Sequence, residues 1–178
     1  MTLQPKNACP DVVFFSTPPH HGTLTRYHLH PVKWLHRLPD AVSYEEGALL
    51  EPLVVALAGL ERCNIGLGDP LLICGAGPIG LVTLLAAHAA GATPIVLTDL
   101  SESRLKFAVT LVTSVRTVAV ARGDSSMEVS KQIRAAAALG KDRHGVDKGL
   151  SNAIECSGFE SSIQAAIYVR LHPASSLW

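Results

Sequence analysis

An α/β fold on a doubly wound parallel sheet is predicted for this 178-residue chain by three observations. From residue 71 onward, short apolar runs alternate with helical patterns, the rhythm of parallel strands joined by crossover helices. The first run, Leu71-Leu72-Ile73-Cys74, passes directly into Gly75-Ala76-Gly77-Pro78-Ile79-Gly80, a Gly-x-Gly-x-x-Gly turn at the junction of strand and helix. The next apolar run ends on an acid, Asp99.

Upstream of residue 70 the pattern differs. Apolar and β-branched runs over 12–15, 23–29 and 32–37 predict short strands, separated by Thr17-Pro18-Pro19 and by Pro31, as in the tail of a mostly β domain. Ser43-Tyr44-Glu45-Glu46 is a capping box: the serine accepts from an early backbone N–H and the glutamate reaches back. A helix is expected to start there. Pro52 disfavours helical geometry at Glu51 and clashes with the carbonyl of Ala48, which predicts a helix joint at Glu51.

Downstream, strand 71–74 leads into a helix over 78–90, closed by Gly91 as a left-handed cap. A second strand covers 94–99, and Ser101 caps a helix carrying Glu102, Arg104 and Lys106. A third strand covers 117–120. Ser125 and Glu128 form another capping box, for a helix to Leu139 ended by Gly140. The polar segment 141–149 then bridges to a fourth strand over 152–156. This is a right-handed βαβαβ half and the start of its second half, about four strands of a six-stranded sheet. The expected organisation is 1–69 as the end of a β-rich domain plus a linking helix, 70–170 as a partial nucleotide-binding domain, and 171–178 as a divergent tail. The fourth strand is expected to be an unprotected edge.

Composition excludes several classes. Lysine plus arginine equals aspartate plus glutamate at 15 each, so no global field draws the chain to nucleic acid or an anionic membrane. No apolar run reaches the roughly 18 residues of a membrane span, and no secretory leader pattern opens the chain. The four cysteines contain no Cys-x-x-Cys pair, which suits a reducing compartment and a cytoplasmic location. A small molecule is the expected partner.

The glycine turn states what kind. Gly75, Gly77 and Gly80 let the chain turn tightly and approach a pyrophosphate, while Pro78 fits the first turn of a helix whose free N–H groups attract phosphate. Asp99 can accept from both hydroxyls of the adenosine ribose and repels a 2′-phosphate, so NAD is preferred to NADP. Arg104 can reach the same ribose or stand solvated on its helix. The plainer alternative is a tight strand-to-helix turn followed by a strand-end acid. The dense histidines, His20-His21, His28-x-His30 and His36, are read as surface residues rather than a metal site.

These residues resemble a known family, the zinc-dependent medium-chain polyol dehydrogenases, the group of fungal L-arabinitol 4-dehydrogenase and of sorbitol dehydrogenase. The resemblance runs through Gly22-Thr23-Leu24-Thr25-Arg26-Tyr27, Tyr44-Glu45-Glu46-Gly47-Ala48-Leu49-Leu50-Glu51-Pro52-Leu53, the glycine turn, Thr98-Asp99-Leu100-Ser101 and Glu155-Cys156-Ser157-Gly158. It implies an incomplete Rossmann domain after the tail of a mostly β catalytic domain. The activity it implies is oxidation of a sugar alcohol of the L-arabinitol, xylitol or sorbitol type to a ketose, with hydride passing to NAD, in a homotetramer. Glu51 then resembles the metal-site glutamate beside the catalytic zinc. Pro78, Ile79, Asp99 and Arg104 match positions contacting NAD, and Cys9 resembles the last of four structural-zinc cysteines.

The chain departs from the family at both ends. No Gly-His-Glu occurs in it, and after Tyr168 it lacks the glycine pair and the two further strands. A fragment with an incomplete zinc set is expected, one that does not retain the metal. Two readings stand: an NAD-dependent polyol dehydrogenase, or a truncated product without catalysis that acts at most as a weak nucleotide-binding module.

Overall fold

The computed structural model describes residues 11–140 and 149–170, which divide between Val42 and Ser43 into two units. Asn7 and Cys9, most of the 141–149 bridge and the 171–178 tail lie outside the described residues.

In residues 11–42 the three expected strands do not form. These residues make turns and one 3-10 turn at Val32–Trp34, and none of them is buried. A strand is completed by a neighbour that takes its N–H and C=O groups. The backbone bonds here are local instead: the His20 N–H donates to the Thr17 carbonyl at 2.9 Å and the Thr25 N–H to the Thr23 carbonyl at 2.8 Å. Apolar and β-branched runs make these segments strand-like without supplying a partner strand. The rings of His28 and His30 pack on Phe15, with centroids 4.7 and 5.3 Å away.

From Ser43 onward helices and strands alternate. The capping box forms as expected: the Ser43 hydroxyl accepts from the Glu46 N–H at 3.2 Å, and the Glu46 carboxylate accepts from the Ser43 N–H at 2.8 Å. It starts α1 (Tyr44–Ala48), and α2 (Leu50–Arg62) follows after Leu49. The joint is therefore at Leu49 rather than at Glu51, which is already helical. Pro52 explains the shift, because its ring excludes the carbonyl of Ala48, four residues back, while its own missing N–H falls in the first turn of α2, where it has no helical partner to lose.

Strand β1 (Leu71–Cys74) leads into α3 (Pro78–Ala89), then β2 (Ile95–Asp99), α4 (Glu102–Leu111), β3 (Arg116–Ala119), α5 (Ser126–Ala137), β4 (Asn152–Glu155) and α6 (Glu160–Arg170). All pairings are parallel and the order is β3-β2-β1-β4, so β1 is central and β4 lies at an edge, as expected. Gly91 closes α3 as anticipated: its N–H donates to the His88 carbonyl at 3.0 Å, and the Ala92 N–H donates to the Ala87 carbonyl at 3.0 Å. Helix α5 ends two residues before the expected Leu139, with Ala138 in the left-handed conformation. Arg116 stabilises that end by donating to the carbonyls of Ala136 and Ala137.

Every residue of β1 is buried, since helices cover both faces of the sheet. Leu71 and Ile73 join Ala56 and Leu60 of α2, Leu84 of α3 and Leu105 of α4. Leu72 and Cys74 point the other way, into Ile133 of α5 and Val169 of α6. Gly59 of α2 comes close to Ile154 of β4, so α2 packs over that end of the sheet. Among the described residues no helix is long and apolar enough to cross a membrane.

The Ser125 cap offers a simple test of this frame. Its hydroxyl accepts from the Glu128 N–H at 3.2 Å. Ser125→Ala is expected to cost about 1 kcal/mol, read as a lower urea midpoint at unchanged slope.

Candidate functional site

All four strands of the sheet end on one cleft. At the end of β1, Gly75 takes φ +98 and its N–H donates to the Thr98 carbonyl of β2 at 2.7 Å. The chain reverses, and Gly77 becomes the residue before α3, with Pro78 as the first helical residue. No side chain caps this end of the helix. A Cβ at Gly77 would meet nothing within 4 Å. Free helical N–H groups beside open space are what an anionic ligand needs. Gly80 has a different job. A Cβ there would lie 1.8 Å from the Gly75 carbonyl oxygen, so the turn closes on itself only because Gly80 has no side chain.

Asp99 ends β2, and its carboxylate is tied on both sides. Oδ2 accepts from the Ala76 N–H of the glycine turn at 2.7 Å, and Oδ1 accepts from the Ser101 N–H at 2.7 Å. The side chain is 10% exposed, and each oxygen retains a second lone pair for an outside donor. The acid expected to meet a ribose therefore also holds the turn expected to meet the phosphates. Arg104 Nη1 stands 3.9 Å from Asp99 Oδ2, on a side chain 60% exposed. Such a pair adds little stability, though it keeps a cation at the cleft mouth.

The cleft has a volume of about 690 Å³ and is lined by Gly75, Gly77, Asp99, Ser101 and Arg104, with Ser157 and Phe159 from beyond β4. That volume suits a cofactor-sized ligand. Pro78, Ile79 and Gly80 sit in the first turn of α3 and do not line it. Glu51 does not line it either: it is exposed in the first turn of α2. Among the described residues no three His, Cys, Asp or Glu side chains are grouped to hold a metal ion. The described residues around the cleft thus fit a dinucleotide.

Sequence reasoning missed part of the lining. Arg122 and Asp124 enter from the turn after β3, where Asp124 Oδ2 accepts from the Ala121 N–H at 3.0 Å. Their position just past a parallel strand was the available signal, because ligands gather at the carboxyl ends of such strands.

Cys74 and Cys156 also border the cleft. Burial pushes the Cys74 thiol from its ordinary 9.0 up to about 12, against a hydrogen bond with Thr98 that pulls it down, while Glu155 and Cys156 add to the rise. Burial likewise raises Cys156. At pH 8 only about one Cys74 in ten thousand is a thiolate. Cys74 is therefore expected to escape iodoacetamide in the folded protein and to be alkylated in urea, as read by peptide mass. Because the folded thiol holds its proton more tightly, its contribution to stability is complete below pH 9.0 and is lost as pH rises toward about 12.

No protein-family model matches the chain. It is 51% identical over 165 residues, 91% of its length, to an L-arabinitol 4-dehydrogenase of Aspergillus niger. It is 42% identical over 162 residues to a sorbitol dehydrogenase of Bos taurus. The chain spans 42% of the length of each of these relatives. Among solved structures, an Escherichia coli oxidoreductase/dehydrogenase of unknown specificity involved in membrane biogenesis superimposes with a TM-score of 0.75 at 33% identity, over 91% of this chain and 43% of that one.

Proposed function

We infer that this chain belongs to the zinc-dependent medium-chain polyol dehydrogenases and supplies the dinucleotide-binding part of an enzyme that oxidises a sugar alcohol to a ketose with NAD. One observation carries the cofactor assignment: the Asp99 carboxylate lies at the mouth of the cleft and is bonded to the Ala76 N–H, so the ribose acceptor and the phosphate turn form one unit. The likeness to L-arabinitol 4-dehydrogenase and sorbitol dehydrogenase carries the substrate class.

In this reading each residue has a defined task. Gly77 leaves room for the pyrophosphate to approach the first N–H groups of α3, whose dipole favours negative charge. Asp99 accepts from the two ribose hydroxyls, and its charge opposes a 2′-phosphate. Arg104 flanks that ribose. The bound nicotinamide supplies the hydride acceptor. Glu51 is the residue that the resemblance places beside the catalytic zinc, and among the described residues it belongs to no group of three His, Cys, Asp or Glu side chains that could hold a metal ion. A second reading, a nucleotide-binding module without turnover, rests on the cleft being built for a dinucleotide by the described residues themselves.

Calorimetric titration of the 178-residue chain separates the possibilities. NAD and ADP-ribose are expected to bind, with NADP weaker by about tenfold or more, the ratio set by a charge clash of about 1.4 kcal/mol. Formation of NADH from L-arabinitol, xylitol or sorbitol would refute the module reading. Folded protein that binds neither NAD nor ADP-ribose would overturn both.

A further inference from the structure

A second turn borders the cleft beside the glycine turn, and one carboxylate shapes it. Glu155 is the last residue of β4 and pairs in register with Cys74 of β1. Its side chain folds back over the following residues. Oε1 accepts from the Ser157 N–H at 2.9 Å and from the Ser157 hydroxyl, and Oε2 accepts from the Gly158 N–H at 2.9 Å. The Ser157 hydroxyl oxygen in turn accepts from the Phe159 N–H at 3.3 Å. Three donors are thus committed to one acid, which spends its charge on the turn rather than on the cleft.

The turn so formed is seated against the phosphate turn. A Cβ at Gly75 would come within 3.1 Å of both Cβ and N of Ser157, a tight approach that Ser157 could admit only by giving way by a few tenths of an ångström. Ser157 and Phe159 line the cleft on the β4 side, and Asp99, Ser101 and Arg104 line it on the β2 side. A dinucleotide crosses such a sheet at the switch point between its halves, here between β1 and β4. With the adenosine ribose at Asp99, the second phosphate and second ribose run toward Ser157.

We propose that Glu155 is a positioning residue for the half of the dinucleotide beyond its first phosphate, acting through Ser157 and Gly158 to hold the β4-side wall against Gly75. The inference rests on the NAD reading above. It touches no ligand itself, and its function is to fix the wall that the second phosphate and ribose meet.

The test compares AMP, ADP-ribose and NAD on the wild-type chain and on Glu155→Ala, Glu155→Gln and Ser157→Ala. Glu155→Ala is expected to weaken ADP-ribose and NAD about tenfold while AMP changes less than about twofold. Glu155→Gln keeps one carbonyl acceptor for Ser157 and is expected to recover to within about threefold of wild type. Ser157→Ala is expected to lower ADP-ribose affinity and spare AMP, and with the glutamine variant it carries the test if Glu155→Ala does not fold. A general loosening of the domain moves AMP and ADP-ribose together. That parallel loss, or unchanged ADP-ribose affinity in a folded alanine variant, overturns the inference while leaving the NAD reading intact. Wild-type protein that binds no nucleotide overturns both.

Discussion

Gly80→Ala is expected to cost the domain about 3 kcal/mol or more, the upper range for forcing atoms into filled space, and to abolish NAD binding. The added carbon would sit 1.8 Å from the Gly75 carbonyl oxygen and 2.9 Å from the Gly75 carbonyl carbon. Neither atom is the end of a flexible side chain. Relief requires the turn to open, and the turn is anchored through the Gly75 N–H on Thr98 and the Ala76 N–H on Asp99. Opening it breaks the link between β1 and the end of β2 and displaces the start of α3. A denaturant midpoint well below wild type, with no measurable NAD heat, is the expected outcome. Wild-type stability in Gly80→Ala would show that the turn is looser than its geometry states.

Asp99→Ala is expected to lower both stability and affinity, through separable routes. Removing the carboxylate orphans the Ala76 N–H, in a residue only 1% exposed, and the N–H of half-buried Ser101. Each orphaned donor costs about 1–3 kcal/mol, so a loss of about 2 kcal/mol or more is expected by chemical denaturation. Affinity for NAD falls as well, because the ribose loses its acceptor. Asp99→Asn divides the two effects. Its single carbonyl oxygen can serve Ala76 or Ser101 but not both, so its stability should fall between wild type and alanine. Its lost charge removes the repulsion that disfavours NADP, so the ratio of NAD to NADP affinity should drop toward one. An asparagine variant that keeps full discrimination against NADP would sink the assignment of Asp99 to the ribose.

Legibility in the sequence followed the range over which each feature is decided. The glycine turn, the Ser43, Ser101 and Ser125 caps and the Asp99 strand end are local arrangements, written within a few residues, and all appear where their chemistry put them. Glu51 was misjudged by two residues because a proline acts on the carbonyl four back, moving the break to Leu49. The strands expected over 12–37 failed for a non-local reason, since pairing depends on another segment that periodicity cannot name. Helix α6 was not anticipated. It buries Ala165, Ala166 and Val169, small or β-branched side chains that give a faint helical period. The reach of Glu155 to Ser157 and Gly158 was illegible for a different reason, since it depends on how the chain bends after β4.

The strand order also has a consequence in time. Leu71 pairs with Ile95 on one side and with Asn152 on the other, so β1 meets one neighbour across a single helix and its other neighbour only after most of the domain has been threaded. Short loops close at lower entropic cost than long ones, and contacts between distant segments form late in folding. The Asp99 side of the cleft is therefore expected to assemble early and the Glu155 side late, with the Ile154 amide gaining protection after that of Leu97 in pulse-labelled refolding. In the proposed NAD reading, the adenosine half of the nucleotide faces the older wall and the other half faces the younger one.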